Sequence, residues 1–87
     1  MNIEIIWNAI KQHEGETFYT IKRKSYSYVI QGNYLIIENI KGGKIKKESI
    51  GKAIMIANPT PKKIELAGCW GHSYIYGIIT DKRIRGV

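Results

Sequence analysis

The chain has 87 residues, of which 44% are hydrophobic, so a single small globular domain over residues 1–87 is predicted and a disordered chain is excluded. No apolar run approaches the roughly 20 residues that span a membrane, and no membrane partner is predicted. Fourteen Lys and Arg against seven Asp and Glu leave a net charge of +7, which indicates a polyanionic partner.

The positive charge is unevenly distributed along the chain. Residues 1–16 hold one cation against three acids and net −2, whereas residues 17–87 hold 13 cations against four acids and net +9. The charge excess therefore belongs to the predicted sheet and the C-terminal half.

The single cysteine, Cys69, excludes an internal disulfide framework. Glu4 stands where a signal peptide would be basic, so a cytoplasmic location is expected.

The first element is a helix predicted over residues 3–13, with Asn2 as its cap and Gly15 just beyond its end. Its apolar stripe consists of Ile3, Ile6, Trp7 and Ile10, widened by Ile5. Trp7 lies on that stripe and is therefore predicted to be a core residue.

Antiparallel strands are predicted over residues 17–39. Phe18 to Ile21 and Ser25 to Gln31 are rich in aromatic and β-branched residues, and Gly32-Asn33 suits a tight hairpin turn into a third strand over Tyr34 to Asn39. Lys22-Arg23-Lys24 forms the first turn. The tyrosines of this region are predicted to be core residues, although any that is exposed would suit stacking on nucleic-acid bases.

Residues 45–47 are predicted to add a short strand, and residues 48–58 form a second helix that stops at Asn58-Pro59-Thr60-Pro61. Residues 62–66 are compatible with a strand or a helical turn. A third helix is predicted over 73–81, after a loop at 67–71, and Ile84 pins the tail. The fold class is thus α+β: an N-terminal helix, a three- to four-stranded antiparallel sheet over about 17–47, and two C-terminal helices packed on one face.

No motif in the chain indicates catalysis or a cofactor. Gly68-Cys69-Trp70-Gly71 before a helix start is superficially similar to the nucleophile region of papain-like cysteine proteases, but the chain is far too short for that fold. The only histidines, His13 and His72, do not lie in a segment that would supply the base. One Cys and two His also fall short of the four ligands of structural zinc. We therefore predict a non-enzymatic protein without metal or cofactor, in which Cys69 and Trp70 pack in the core.

The basic clusters are the strongest functional signal. They lie at predicted turns and element ends, where the turns at one end of the sheet would converge into a single positive face. The residues predicted to bind nucleic acid are Lys22, Arg23, Lys24, Lys41, Lys44, Lys46, Lys47, Arg83 and Arg85. Lysine contacts phosphate as a point charge and reads bases poorly, so weak sequence specificity and steep salt dependence are expected.

The order helix, three strands, helix resembles that of the double-stranded-RNA-binding domain. Residues 43–49, GKIKKES, are similar to the lysine-rich start of that family's second helix. The chain departs from the family in residues 50–54, IGKAI, which replace an alanine-rich helix, in the absence of a histidine between the first two strands, and in the additional segment 59–87. The resemblance is one of element order, which does not imply function.

These observations predict a small basic nucleic-acid-binding protein, with DNA favoured, that acts mainly through phosphate contacts. The alternative is a protein-interaction or regulatory module. A phage or mobile-element factor that grips an acidic surface of a host protein would have this size and charge.

Overall fold

A computed structural model describes the chain over residues 2–38 and 40–85. The elements of these two ranges, in chain order, are α1 (Ile3–Gln12), β1 (Phe18–Tyr19), β2 (Ser25–Tyr26), β3 (Tyr28–Gln31), β4 (Tyr34–Ile37), β5 (Lys44–Lys46), α2 (Lys47–Ile54), α3 (Pro61–Leu66), α4 (His72–Ile79) and α5 (Lys82–Arg85). The predicted α+β class, with an N-terminal helix, antiparallel strands and C-terminal helices, is confirmed. Asn39, the predicted end of the third strand, lies outside the described residues.

The N-terminal helix α1 forms as its sequence predicts. The Asn2 side-chain oxygen accepts the backbone N–H of Glu4 at 2.7 Å, which satisfies one of the free donors of the first turn. Trp7 is buried with its neighbours on the apolar stripe. Ile5 does not widen that stripe as predicted, since its side chain is exposed.

Within the described ranges the strands form two sheets, where one was predicted. β1 pairs with β2, and β3, β4 and β5 form a separate three-stranded antiparallel sheet in that order. The predicted second strand is divided at Ser27, which lies in neither ladder. The Ser27 hydroxyl donates to the Glu38 carboxylate at 2.8 Å, and its carbonyl accepts the Glu38 N–H at 3.0 Å. These two bonds hold the chain at the point where it passes from one sheet to the other.

The two faces of the three-stranded sheet differ in burial. Leu35 and Ile45 are directly paired and fully buried, so their face belongs to the core. Side chains alternate along a strand, and directly paired residues share a face. The opposite face, which we call the sheet face, is open to solvent and consists of Val29, Gln31, Tyr34, Ile36, Lys44 and Lys46.

The described part of the C-terminal half contains four helices, where two were predicted. α2 ends at Ile54, before the predicted end at residue 58, and the Lys63 ammonium instead holds the carbonyls of Ala57 and Asn58 at 3.3 and 3.2 Å. The ambiguous segment 62–66 is helical. Thr60 caps this helix through the Lys63 N–H at 3.1 Å, and Pro61 stands at the first turn, where proline is tolerated.

Two residues, Thr80 and Asp81, separate the last two helices. α4 covers residues 72–79 and follows Gly71, whose φ of +77° suits glycine. The Asp81 carboxylate accepts the N–H of Arg83 at 2.9 Å and thereby starts α5, a helix that the sequence analysis missed. Ile84 is buried and pins the tail as predicted. No helix within the described ranges is long and apolar enough to cross a membrane.

Two buried tyrosines connect the sheets to the helices. The Tyr26 hydroxyl donates to the Tyr74 carbonyl of α4 at 2.7 Å, and the Tyr28 hydroxyl donates to the Ile10 carbonyl of α1. Burial raises the pKa of both phenols well above the ordinary value of 10.0, so they remain protonated donors across the physiological pH range. The prediction that these two tyrosines are core residues is confirmed.

Two helical glycines should respond in opposite ways to alanine. A Cβ at Gly77 in α4 would collide with the Tyr19 carbonyl oxygen and lie 2.7 Å from the Tyr26 hydroxyl, whereas a Cβ at Gly51 in α2 would meet only Ile3, at 3.7 Å. We expect Gly77→Ala to lower the free energy of unfolding by roughly 1–3 kcal/mol through overpacking. Gly51→Ala should raise it by up to about 1 kcal/mol through helix propensity.

Thermal denaturation followed by circular dichroism measures both changes. A Gly77→Ala variant as stable as the unmodified chain would contradict the close approach of α4 to the hairpin.

Candidate functional site

The sheet face brings an aromatic ring and two lysines together. Tyr34 of β4 is paired with Lys46 of β5, and Ile36 with Lys44, so all four side chains share one face. The Tyr34 ring is 39% exposed, and the Lys44 ammonium lies 5.0 Å from its centre. This arrangement offers a flat apolar surface beside positive charge.

A groove of about 750 Å³ adjoins the sheet face at the Gly32–Asn33 turn. The start of α1, the β3–β4 turn, the end of β5 and the helix α2 form its walls. Its lining residues are Ile3, Glu4, Asn33, Tyr34, Lys46, Lys47, Glu48, Gly51, Lys52 and Met55. We call this cavity the α1–α2 groove. Tyr34 belongs both to the groove and to the sheet face, so the two surfaces are continuous.

The lysines of the groove differ in how far they are neutralised. The Lys47 ammonium bonds the Glu4 carboxylate at 2.8 Å and lies 5.8 Å from the Trp7 ring centre. Lys52 is 3.6 Å from Glu48, and both of these side chains are largely exposed, so their attraction is weak. Lys46 makes no ion pair with any described residue. Lys46 is therefore the charge of this groove with most freedom to meet a ligand.

The other predicted cations lie at separate places. Lys22–Lys24 are exposed in the β1–β2 turn, where Arg23 has a φ of +68°. Lys24 and Glu38 line a different, smaller cavity of about 350 Å³, and Lys41 is exposed in the loop between β4 and β5. Of the predicted binding residues, all of which fall within the described ranges, only Lys44, Lys46 and Lys47 lie on the sheet face or in the α1–α2 groove.

Arg83 is held by contacts within the chain, with residues 16–18 and with Asp81. Its guanidinium lies 3.9 Å from the Phe18 ring centre and donates to Asp81 at 2.9 Å, to Glu16 at 3.0 Å and to the Thr17 carbonyl at 2.8 Å. These contacts tie α5 to the loop between α1 and β1. Arg85, two residues further along, is exposed.

The pKa values of Arg83 and of its two carboxylate partners are shifted. Hydrogen bonds from His13 and Arg83 lower the pKa of Glu16, and the hydrogen bond from Arg83 lowers that of Asp81. The carboxylate of Asp81, followed by that of Glu16, raises the pKa of Arg83 further above its already high value. All three groups are therefore charged at neutral pH.

Several residues of the groove and the sheet face escaped the sequence analysis. The run Tyr34-Leu35-Ile36-Ile37 is apolar on both faces, so strand alternation alone gave no signal that Tyr34 faces solvent. Nor did the sequence carry a signal for Gly51 and Met55, because the groove that they line forms only when α1 packs beside α2. Tyr19 is exposed like Tyr34, so the core prediction is wrong for these two tyrosines.

Cys69 and Trp70, which were both predicted to pack in the core, differ in burial. Cys69 is buried as predicted, and its Sγ lies 3.6 Å from the Ser49 carbonyl oxygen. Trp70 was predicted to pack in the core, but it is half exposed, with its ring centre 6.5 Å from that of Tyr74. Within residues 2–38 and 40–85, no cluster of three or more His, Cys, Asp or Glu side chains is placed to hold a metal ion.

Comparison with known proteins found no matching family model, no matching curated protein and no matching solved structure. Any assignment of function to this chain therefore rests on its own exposed side chains.

Replacing Arg83 should make the stability of the fold change less as the pH falls into the acidic range. The ordinary pKa values of Glu16 and Asp81 are 4.5 and 3.8, and both are lowered in the folded chain. Their contribution to stability is therefore full above about pH 5 and is lost as the pH falls through the lower, folded values. We expect Arg83→Gln to lower the melting temperature by several degrees at pH 7 and by much less near pH 2.

Thermal melts across this pH range test the expectation, with Arg85→Gln as the matched exposed control. A difference between Arg83→Gln and the unmodified chain that stays constant from pH 7 to pH 2 would show that the carboxylates are not the partners that matter.

Proposed function

We propose that the chain is a non-enzymatic nucleic-acid-binding protein, with DNA favoured, whose contact surface is centred on the sheet face. The single observation that carries this proposal is the Lys44 ammonium 5.0 Å from the half-exposed Tyr34 ring, with Lys46 directly opposite that tyrosine on β5. The net charge of +7 supports a polyanionic ligand in general. The adjoining aromatic ring favours nucleic acid among the polyanions, because it adds a surface on which a base stacks.

The chemistry of the surface sets the expected mode of binding. Lysine ammonium groups contact phosphates as mobile point charges, whereas guanidinium groups, which read guanine edges in a bidentate manner, are absent from the described part of the sheet face. Binding should therefore depend strongly on salt and weakly on sequence. We further propose that the protein acts in the cytoplasm, where the unpaired Cys69 remains reduced.

A second candidate function rests on a different surface. Leu66, the last residue of α3, and Trp70, which precedes the cap of α4, expose large apolar side chains. Exposed aromatic residues are common anchors of protein interfaces. A protein-interaction module is the alternative that this observation favours. A partner bound through Trp70 would be recovered at fixed stoichiometry and with little dependence on salt.

Removing the two lysine charges of the sheet face should weaken binding and flatten its salt dependence. Lys44→Gln with Lys46→Gln keeps most of each aliphatic stem and removes two phosphate contacts. The plot of log affinity against log salt should lose about 1.4 in slope on single-stranded DNA and about 1.8 on duplex DNA. Fluorescence anisotropy at several salt concentrations measures both slopes.

Lys11→Gln with Lys82→Gln is the matched control, since both residues are exposed and lie on α1 and α5, away from the sheet face. Equal losses of affinity in the two variants would mean that the net charge, and no particular surface, determines binding. Unchanged affinity in the sheet-face variant would remove Lys44 and Lys46 from the proposed site.

A further inference from the structure

The α1–α2 groove contains a glycine that the fold does not require. Gly51 lies inside α2 in ordinary helical conformation, and a Cβ there would meet only Ile3 atoms at 3.7 and 3.9 Å, which is normal van der Waals contact. Glycine in a helix interior costs about 1 kcal/mol relative to alanine. The effect of Gly51 on the surface is to leave the wall of the groove open between Ile3 and Met55.

The lining of the groove is mostly apolar and carries three lysines and two carboxylates. Ile3, the Tyr34 ring and Met55, which is 75% exposed, supply apolar surface. The charged groups of the lining are the lysines Lys46, Lys47 and Lys52 and the carboxylates Glu4 and Glu48. Each carboxylate already lies against a lysine, at 2.8 Å for Glu4 and 3.6 Å for Glu48. The remaining excess is positive, because Lys46 has no described carboxylate partner.

The groove continues the sheet face without interruption. Tyr34 lines the groove, while Lys44 lies over its ring and Lys46 stands directly opposite it on the neighbouring strand. A phosphate chain that contacts Lys44 and Lys46 therefore passes the mouth of the groove. The volume of about 750 Å³ falls within the range of roughly 300–1,000 Å³ that is common for small-molecule sites.

We propose that the α1–α2 groove receives an unpaired base of a single-stranded nucleic acid whose phosphates lie on Lys44 and Lys46. The inference rests on the proposed function and adds the substrate class. The bases of a duplex are stacked and paired, so only its phosphates reach this surface. A single strand turns its bases outward, where one stacks on Tyr34 and an adjacent one enters the apolar groove. Single strands should therefore bind more tightly than duplexes of the same length.

Three DNA ligands separate the contributions of the phosphates and the bases. Fluorescence anisotropy of the full chain at low salt compares a mixed-sequence single strand, a strand of equal length with only abasic sites, and the corresponding duplex. We expect the intact single strand to bind about tenfold or more tightly than the abasic strand, since one stacked base is worth a factor of roughly 5–150. Equal affinities for the intact and abasic strands would overturn the inference.

Filling the groove tests its location. Gly51→Leu places a side chain in the groove and should weaken binding of the intact strand about tenfold, while leaving the abasic strand unchanged. Because leucine favours the helix more than glycine does, this variant should remain folded, which circular dichroism checks. Unchanged affinity of folded Gly51→Leu for the intact strand would place the base elsewhere.

Two substitutions that introduce the same charge at different places provide a second test, which does not depend on packing. Met55→Glu and Leu66→Glu replace residues that are 75% and 74% exposed, and only Met55 lines the groove. The same change of charge should weaken binding of the intact strand several-fold more at Met55 than at Leu66. Equal losses of affinity in the two variants would contradict the proposal that the base binds in the groove.

The remaining outcomes separate the groove from the proposed function itself. If the chain binds none of the three DNA ligands at low salt, the proposed function fails and this inference fails with it. If it binds all three equally, nucleic-acid binding stands and the groove proposal fails. A fluorescent polyglutamate peptide that binds as tightly as the single strand, and loses affinity in Gly51→Leu, would assign the groove to an acidic peptide.

Discussion

The close approach of α4 to the β1–β2 hairpin is the constraint on which the rest of the domain depends. Gly77 has no side chain at the point where the Tyr19 carbonyl faces the helix, and the Tyr26 hydroxyl bonds the Tyr74 carbonyl. The rings of Tyr26 and Tyr74 meet edge to face at 5.0 Å. The same helix packs against α2, α3 and α5. In the three-stranded sheet, Leu35 and Ile45 are fully buried, the Tyr28 hydroxyl bonds the Ile10 carbonyl of α1, and the opposite side, the sheet face, is left to solvent.

The Arg83 contacts show that the fold decides whether a basic residue is available to a ligand or is neutralised within the chain. In the sequence, Arg83 does not differ from its basic neighbours Lys82 and Arg85. In the fold, it contacts two carboxylates, a carbonyl and the Phe18 ring. Lys47 likewise meets Glu4. Cations with such partners have less attraction left for a ligand. The electrostatic attraction available to a polyanion is therefore smaller and more local than the net charge suggests.

The surface that remains combines three properties that separately would have little weight. Exposed lysines are common, a half-exposed tyrosine is common, and open grooves occur on most proteins. Here the lysines and the tyrosine share one sheet face, and the groove begins at that tyrosine. Phosphate attraction, base stacking and apolar burial are complementary contributions of one ligand class, a single-stranded nucleic acid.

The sequence by itself determined the α+β class, the cap of α1, most of its apolar stripe and the Gly32–Asn33 turn, because local periodicity and turn chemistry encode these features. Only the tertiary structure decided that the strands separate at Ser27 and which cations are neutralised. It also decided that α1 and α2 enclose a groove beside Tyr34. These outcomes depend on contacts between residues far apart in the chain, such as Lys47 with Glu4 and Arg83 with Glu16. No local pattern specifies which distant partner a side chain meets.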